Sequence, residues 1–224
     1  MSESTLINGY PWDKELGPNF STLFTNKLEA FYEPIRPENG GTCTLVHGDL
    51  RGDNLFFCPE SKAYPNGWLT IDFQLMTRGP IPSDLAYLMN TGTVLPEVYD
   101  PSNRDKIMAR FFEAFMDQTS LYKQYTYEQF QKEYMVMSTV LLIYYIGFGA
   151  NIWQAGLNNE QASRVEMGDK GETEADLTPE ERRQRMWWRK ATANFRVTYK
   201  DYDVFEQLSA MPDNQGEMGP WLEV

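Results

Sequence analysis

"TLVHGDLRGDNLFF", residues 44–57, decides how this chain of 224 residues is read. An apolar run enters it, a polar loop follows, and a second apolar run leaves it. His47, Asp49, Arg51, Asp53 and Asn54 fall within eight residues, and His47 is the only histidine in the chain. Short apolar runs on either side of a polar loop read as buried strands, here "CTLV" and "NLFF". "YPNG" (64–67) is a turn signal and "WLTIDF" (68–73) reads as a third strand. Residues 43–73 are thus a loop followed by a small hairpin.

Helical periodicity governs the rest. Leu23, Phe24, Leu28, Phe31 and Tyr32 form one stripe over residues 21–32, with Ser21 as N-cap, and "EPIRPENGG" ends that helix. Ser83 is placed to cap a short helix through "DLAYLMN". Ile107, Met108, Phe111, Phe112, Phe115 and Met116 mark an amphipathic helix over 104–118. A longer helix covers 126–153. Thr178, Pro179 and Glu181 make a capping box, and Trp188, Ala191, Phe195, Tyr199 and Tyr202 mark the buried face that follows. The fold class is α+β, mainly helical. Residues 1–20 read as a leader, 21–210 as the folded unit with an exposed acidic loop at 155–178, and 211–224 as a flexible tail.

Composition limits the functions. The chain is 42% hydrophobic and 14% aromatic, which is globular, and its net charge of −12 argues against nucleic acid or an anionic membrane as partner. The basic, aromatic stretch at 182–200 is therefore read as a cationic, solvated helix face. Residues 135–153 carry no charge and approach spanning length. Ser138, Thr139, Gly147, Gly149 and Asn151 dilute them, so a buried core helix is preferred over a membrane span. Cys43 and Cys58 form no metal cluster or disulfide framework and read as buried thiols of a reducing, cytoplasmic compartment.

Phosphoryl transfer from ATP needs a carboxylate to orient the attacking hydroxyl, oxygen ligands for Mg²⁺ and a grip on the nucleotide. Asp49, Asn54 five residues later, and Asp72 at the end of a nearby strand have the order and spacing for the first two. A lone Asp-x-x-x-x-Asn is usually only a capped turn, and Asp53 is read as a turn residue. The co-occurrence of "HGDLRGDN" with "TIDFQLMTRGPIPSDLAYLM" (70–89) is more specific.

Together these segments resemble the catalytic and metal-binding segments of the aminoglycoside phosphotransferase and choline kinase families, relatives of protein kinases. "IDFQ" and the later "GPxxxDLAYL" are most similar to the ecdysteroid kinase-like branch, whose members phosphorylate small hydroxyl compounds. The likeness is close over 44–90 and general to about 208. It implies the C-terminal lobe of a protein-kinase-like fold, ATP and Mg²⁺ as cofactors and a small-molecule hydroxyl acceptor. Asp49 would be the catalytic base, with Asn54 and Asp72 as the Mg²⁺ ligands. His47 would brace the loop and Asp84 would tie its backbone to the helical lobe. Arg51 stands where relatives often carry His or Trp and is a candidate contact for a carboxylate or phosphate. Gln74 stands where protein kinases have Gly.

The nucleotide-gripping half has no counterpart here. Only 46 residues precede His47; their two lysines, Lys14 and Lys27, lie in no apolar strand pattern, and no G-x-G-x-x-G occurs. Three expectations stay open: a fragment of a complete kinase, a half that pairs with a separately encoded N-terminal lobe, or a catalytically inactive binding or scaffold protein. A lobe without its partner would expose apolar surface. Trp153, Trp187 and Trp188 are equally core or acceptor-pocket residues.

Overall fold

The computed structural model of the chain describes residues 6–7, 10–11, 26–27, 29–91, 93–95, 98–120, 123–156 and 178–213, with side chains omitted over 143–156 and much of 180–189. Its strands are Leu6–Ile7 (β1), Tyr10–Pro11 (β2), Thr44–Val46 (β3), Leu55–Phe57 (β4), Trp68–Thr70 (β5) and Thr77–Gly79 (β6). Its longer helices are Ser83–Asn90 (α1), Pro101–Gln118 (α2), Tyr127–Gly156 (α3), Pro179–Asp201 (α4) and Val204–Ala210 (α5). Helices dominate, and the strands form three antiparallel pairs, β1–β2, β3–β6 and β4–β5. The α+β, mainly helical class holds.

Helix α3 is the centre of the packing. Met135, Val136 and Leu142 join Phe31, Ile35, Ala191, Phe195, Val204 and Leu208 in one cluster. On its other side Phe130 and Tyr134 join Ile81, Leu85, Met89, Tyr99 and Met108. Between the helices lies a buried polar network. Asn90 Nδ2 donates to Ser138 Oγ (3.0 Å), and Tyr99 Oη donates to Asn90 Oδ1 (2.9 Å) and meets Tyr134 Oη (2.9 Å). Asn194 Nδ2 donates to the carbonyls of Met89 and Val94, satisfying backbone oxygens where α1 ends. On α4, Ala191, Phe195 and Tyr199 are buried, whereas Arg182, Arg183, Arg196 and Lys200 are exposed.

Several boundaries differ from the sequence pattern. Ser83 is the first residue of α1, and its hydroxyl donates to the Pro80 carbonyl (2.7 Å) instead of capping. Helix α2 starts earlier, at Pro101, because Asp100 caps it by accepting from the Asn103 N–H (3.1 Å). Helix α4, by contrast, begins where the sequence pattern puts it, with Pro179 at the first helical position. Strand β6 was unforeseen; it pairs Thr44 with Gly79 and Val46 with Thr77. Ser21, Leu23, Phe24, Leu28, most of the leader, residues 157–177, the tail from 214 and the side chains of Trp153, Glu181, Trp187 and Trp188 lie outside the description. Among the described residues, no helix is long and apolar enough to cross a membrane.

Apart from Val46, strands β3 to β6 are not buried. Phe57 is 89% exposed and Leu45 65%, and Phe56, Trp68, Phe73 and Leu75 are also exposed. In β3 alternation explains the pattern, whereas in β4 and β5 neighbouring residues are exposed on both faces. Thr42 and Val46 face the helices, which sends Cys43 and Leu45 outward. Neither cysteine is in a disulfide, and Cys43 is exposed, against the expected buried thiol.

The lead-in to β3 is anchored by a fully buried carboxylate, Glu133 on α3. It accepts from the Thr42 N–H (2.7 Å), the Thr42 hydroxyl (2.6 Å) and the Tyr125 hydroxyl (2.5 Å). Burial raises its pKa above the ordinary 4.5, and the Thr42 and Tyr125 donors oppose that rise. The folded state then holds this proton more tightly than the unfolded chain. Its contribution to stability is complete in acid and is lost as pH rises above the ordinary value. Urea unfolding of wild type and Glu133→Gln across that range should show the wild type's relative stability falling toward neutral pH. A relative stability that grows with pH would contradict this.

Candidate active site

The loop between β3 and β4 is built on backbone constraints. Gly48 has φ +81°, and a Cβ there would lie 2.3 Å from the Leu75 carbonyl oxygen. Only glycine fits both conditions. Asp84, the second residue of α1, accepts from the N–H groups of His47 (2.7 Å) and Gly48 (3.0 Å). Its charge also sits at the helix N-terminus, where the helix dipole favours it.

His47 is buried, and both of its ring nitrogens meet backbone. Nδ1 accepts from the Asp49 N–H (3.3 Å), so Nε2 carries the hydrogen and donates to the Ile71 carbonyl (2.8 Å). The ring also leans on Phe73, with centroids 4.7 Å apart. The histidine thus fastens the loop to the end of β5.

Asp49 and Asn54 are buried and in contact. Asn54 Nδ2 donates to the Asp49 carbonyl (2.9 Å) and to Asp49 Oδ2 (3.2 Å). This fixes the amide so that its Oδ1 remains an acceptor. Arg51 Nε lies 3.5 Å from Asp49 Oδ2, an ion pair without hydrogen-bond geometry. Asp53 is exposed on the 3₁₀ turn Gly52–Asn54.

Asp72 is brought to the same end of the hairpin by register. The Asn54 carbonyl accepts from the Ile71 N–H (3.1 Å), extending the pairing of Leu55 with Thr70. Asp72 is the next residue, in the left-handed region at φ 66°. Such a conformation is uncommon outside glycine, and Asp tolerates it better than most residues. Its side chain is exposed, and no hydrogen bond joins it to Asp49 or Asn54 among the described residues. Among the described residues, no three His, Cys, Asp or Glu side chains cluster to hold a metal. Asn54 Oδ1 and the Asp72 carboxylate are each hard oxygen donors of the kind Mg²⁺ takes.

Two supporting groups escaped the sequence reading. Thr93 Oγ1 accepts from the Gly52 N–H (2.8 Å), and the Leu75 carbonyl packs over Gly48. Thr93 lies 41 residues from Gly52. No local pattern signals a contact of that range.

A family model, the ecdysteroid kinase-like family, matches residues 6–124, more than half of the chain. The chain belongs to that family, and so to the kinase-like phosphotransferases. No curated protein and no solved structure matches it.

Removing the Asp84 carboxylate leaves two loop N–H groups without their acceptor. Asp84→Ala should lower unfolding free energy by about 3 kcal/mol and speed amide exchange at Gly48. Asp84→Asn, which keeps one acceptor oxygen, should lose less. An unchanged Gly48 exchange rate in Asp84→Ala would show that the brace is not needed.

Proposed function

We propose that this chain carries the acceptor and metal half of a site that phosphorylates a hydroxyl group of a small molecule, using ATP and Mg²⁺. The observation that carries this reading is the buried contact of Asp49 with Asn54, held on a loop fastened at His47 and Gly48 by Asp84. Asp49 Oδ2 faces Asn54 and Arg51, which leaves Oδ1 to orient an incoming hydroxyl and take its proton. Asn54 Oδ1 and Asp72 are the residues to hold Mg²⁺. Bound there with ATP, Mg²⁺ would supply charge neutralisation at the phosphates, and the acceptor hydroxyl, giving its proton to Asp49, would take the γ-phosphoryl group with ADP as the leaving group. Arg51, half-buried beside Asp49, adds a positive charge to an otherwise acidic chain.

The nucleotide grip is assigned to an N-terminal lobe outside these 224 residues, as a separate polypeptide or as upstream sequence. The exposed apolar face of β3–β6 and β4–β5 supports this, because soluble domains rarely leave so much contiguous apolar surface uncovered. ATP as phosphoryl donor and two unbridged cysteines fit a cytoplasmic setting. The second reading is a binding or scaffold protein without turnover; the exposed Asp72 side chain, which joins no metal-holding cluster among the described residues, favours it.

Calorimetric titration of Mg²⁺ or Mn²⁺ with an ATP analogue should give weak, saturable binding that Asp72→Ala removes. Asp49→Ala should retain the binding and lose any transfer to hydroxyl acceptors. Binding that is equal in wild type and Asp72→Ala would defeat the metal assignment. Metal binding without transfer, even with an added nucleotide-binding lobe, would favour the scaffold reading.

A further inference from the structure

We propose that a cleft at the end of β3 remote from the loop binds a small polyanion bearing phosphate or carboxylate groups. The cleft measures about 810 Å³, within the range of small-molecule sites. Thr42 borders it and Asp49 lies seven residues further along the chain. The two regions are therefore separated by up to roughly 20 Å of largely extended chain.

The walls are built rather than incidental. One is the turn that follows Ile35, and the other is the segment entering α3. Gln129 Nε2 donates to the Gly40 carbonyl and joins them. Gly41 is pressed against the preceding turn so closely that a Cβ there would lie 1.9 Å from the Ile35 carbonyl oxygen. Thr42 and Tyr125 also line the cleft, but their donors are committed to Glu133, whose carboxylate is buried beneath them.

The charge at the cleft indicates the ligand. Lys123 and Lys132 both line it, both are exposed, and neither takes part in an ion pair among the described residues. The chain has 32 acidic side chains against 20 basic ones. Two lysines lining one cleft without an ion pair run against that balance. Glu128 also lines the cleft, one helical turn before Lys132, a spacing that favours pairing, yet no such pair forms among the described residues. Gln124, also in the lining, adds an amide donor beside the two ammonium groups. Two cations and an amide donor around a cleft of this size suit a compact ligand with at least two negative charges.

This site is independent of the phosphotransfer reading, and its test keeps the two apart. The full chain is titrated calorimetrically with pyrophosphate and, separately, with citrate, at constant ionic strength and without divalent cations. The expected result is one-site binding of at least one probe. Lys123→Ala/Lys132→Ala should weaken it by at least about ten-fold, and Asp72→Ala should leave it unchanged. Pyrophosphate binding alone assigns a phosphate-bearing ligand, and citrate binding alone a carboxylate-bearing one. Both lysines are exposed, so the double variant should keep the wild-type circular dichroism spectrum and unfolding midpoint. Three results would overturn the proposal: no binding of either probe by wild type, equal binding by the double lysine variant, or a matching loss in Asp72→Ala.

Discussion

The carboxylate of Asp84 holds two consecutive backbone N–H groups, those of His47 and Gly48, and the geometry of the loop follows from that hold. Buried backbone donors must find acceptors. A loop that turns sharply through a left-handed glycine cannot supply them from its own strand. By reaching across from the start of α1, Asp84 satisfies both at once and joins the loop to the helical core. With His47 fixed, its ring can bond both the Asp49 N–H and the Ile71 carbonyl, so one residue sets the distance from the loop to the end of β5. Asp49 and Asn54 are then held side by side in a buried setting.

A second carboxylate, the buried Glu133, works at the opposite end of β3. It takes both donors of Thr42, and the Thr42 hydroxyl in turn accepts from the Ile81 N–H (2.9 Å). Ile81 lies two residues beyond β6 and two before α1. The chain entering β3 and the chain leaving β6 thus meet at one hydroxyl, and the short β3–β6 pair is clamped at its base. The two carboxylates show how three-residue strands hold their register with so little sheet. Side chains from helices supply the hydrogen bonds that neighbouring strands would normally provide.

Much of this arrangement was legible in the residues. "YPNG" between two apolar runs marked the β4–β5 hairpin, and the helical spacing of Ile107, Met108, Phe111 and Phe115 marked α2. The motif pair identified the family and drew Asp49, Asn54, Asp72, His47 and Asp84 toward one region. Burial was misread at the strands. Leu45, Phe56, Phe57 and Trp68 are apolar, and an apolar run alone does not say whether the surface covering it belongs to the same chain. Thr42, Thr93, Tyr125 and Glu133 were invisible for another reason. Each acts through contacts of long sequence separation or through a single side chain in an unremarkable context, and neither leaves a periodic trace.

The central claim is that Asn54 and Asp72 face one cation beside Asp49. Because the chain carries a net charge of −12, bulk metal binding alone cannot locate that cation. The most direct measurement is residue-resolved paramagnetic broadening by substoichiometric Mn²⁺, with and without an ATP analogue, read on the Asn54 side-chain amide and the Asp72 backbone amide. The account predicts that these two signals broaden first and that the analogue sharpens their preference over other acidic positions. Broadening spread evenly over the acidic surface, with Asn54 untouched, would contradict it.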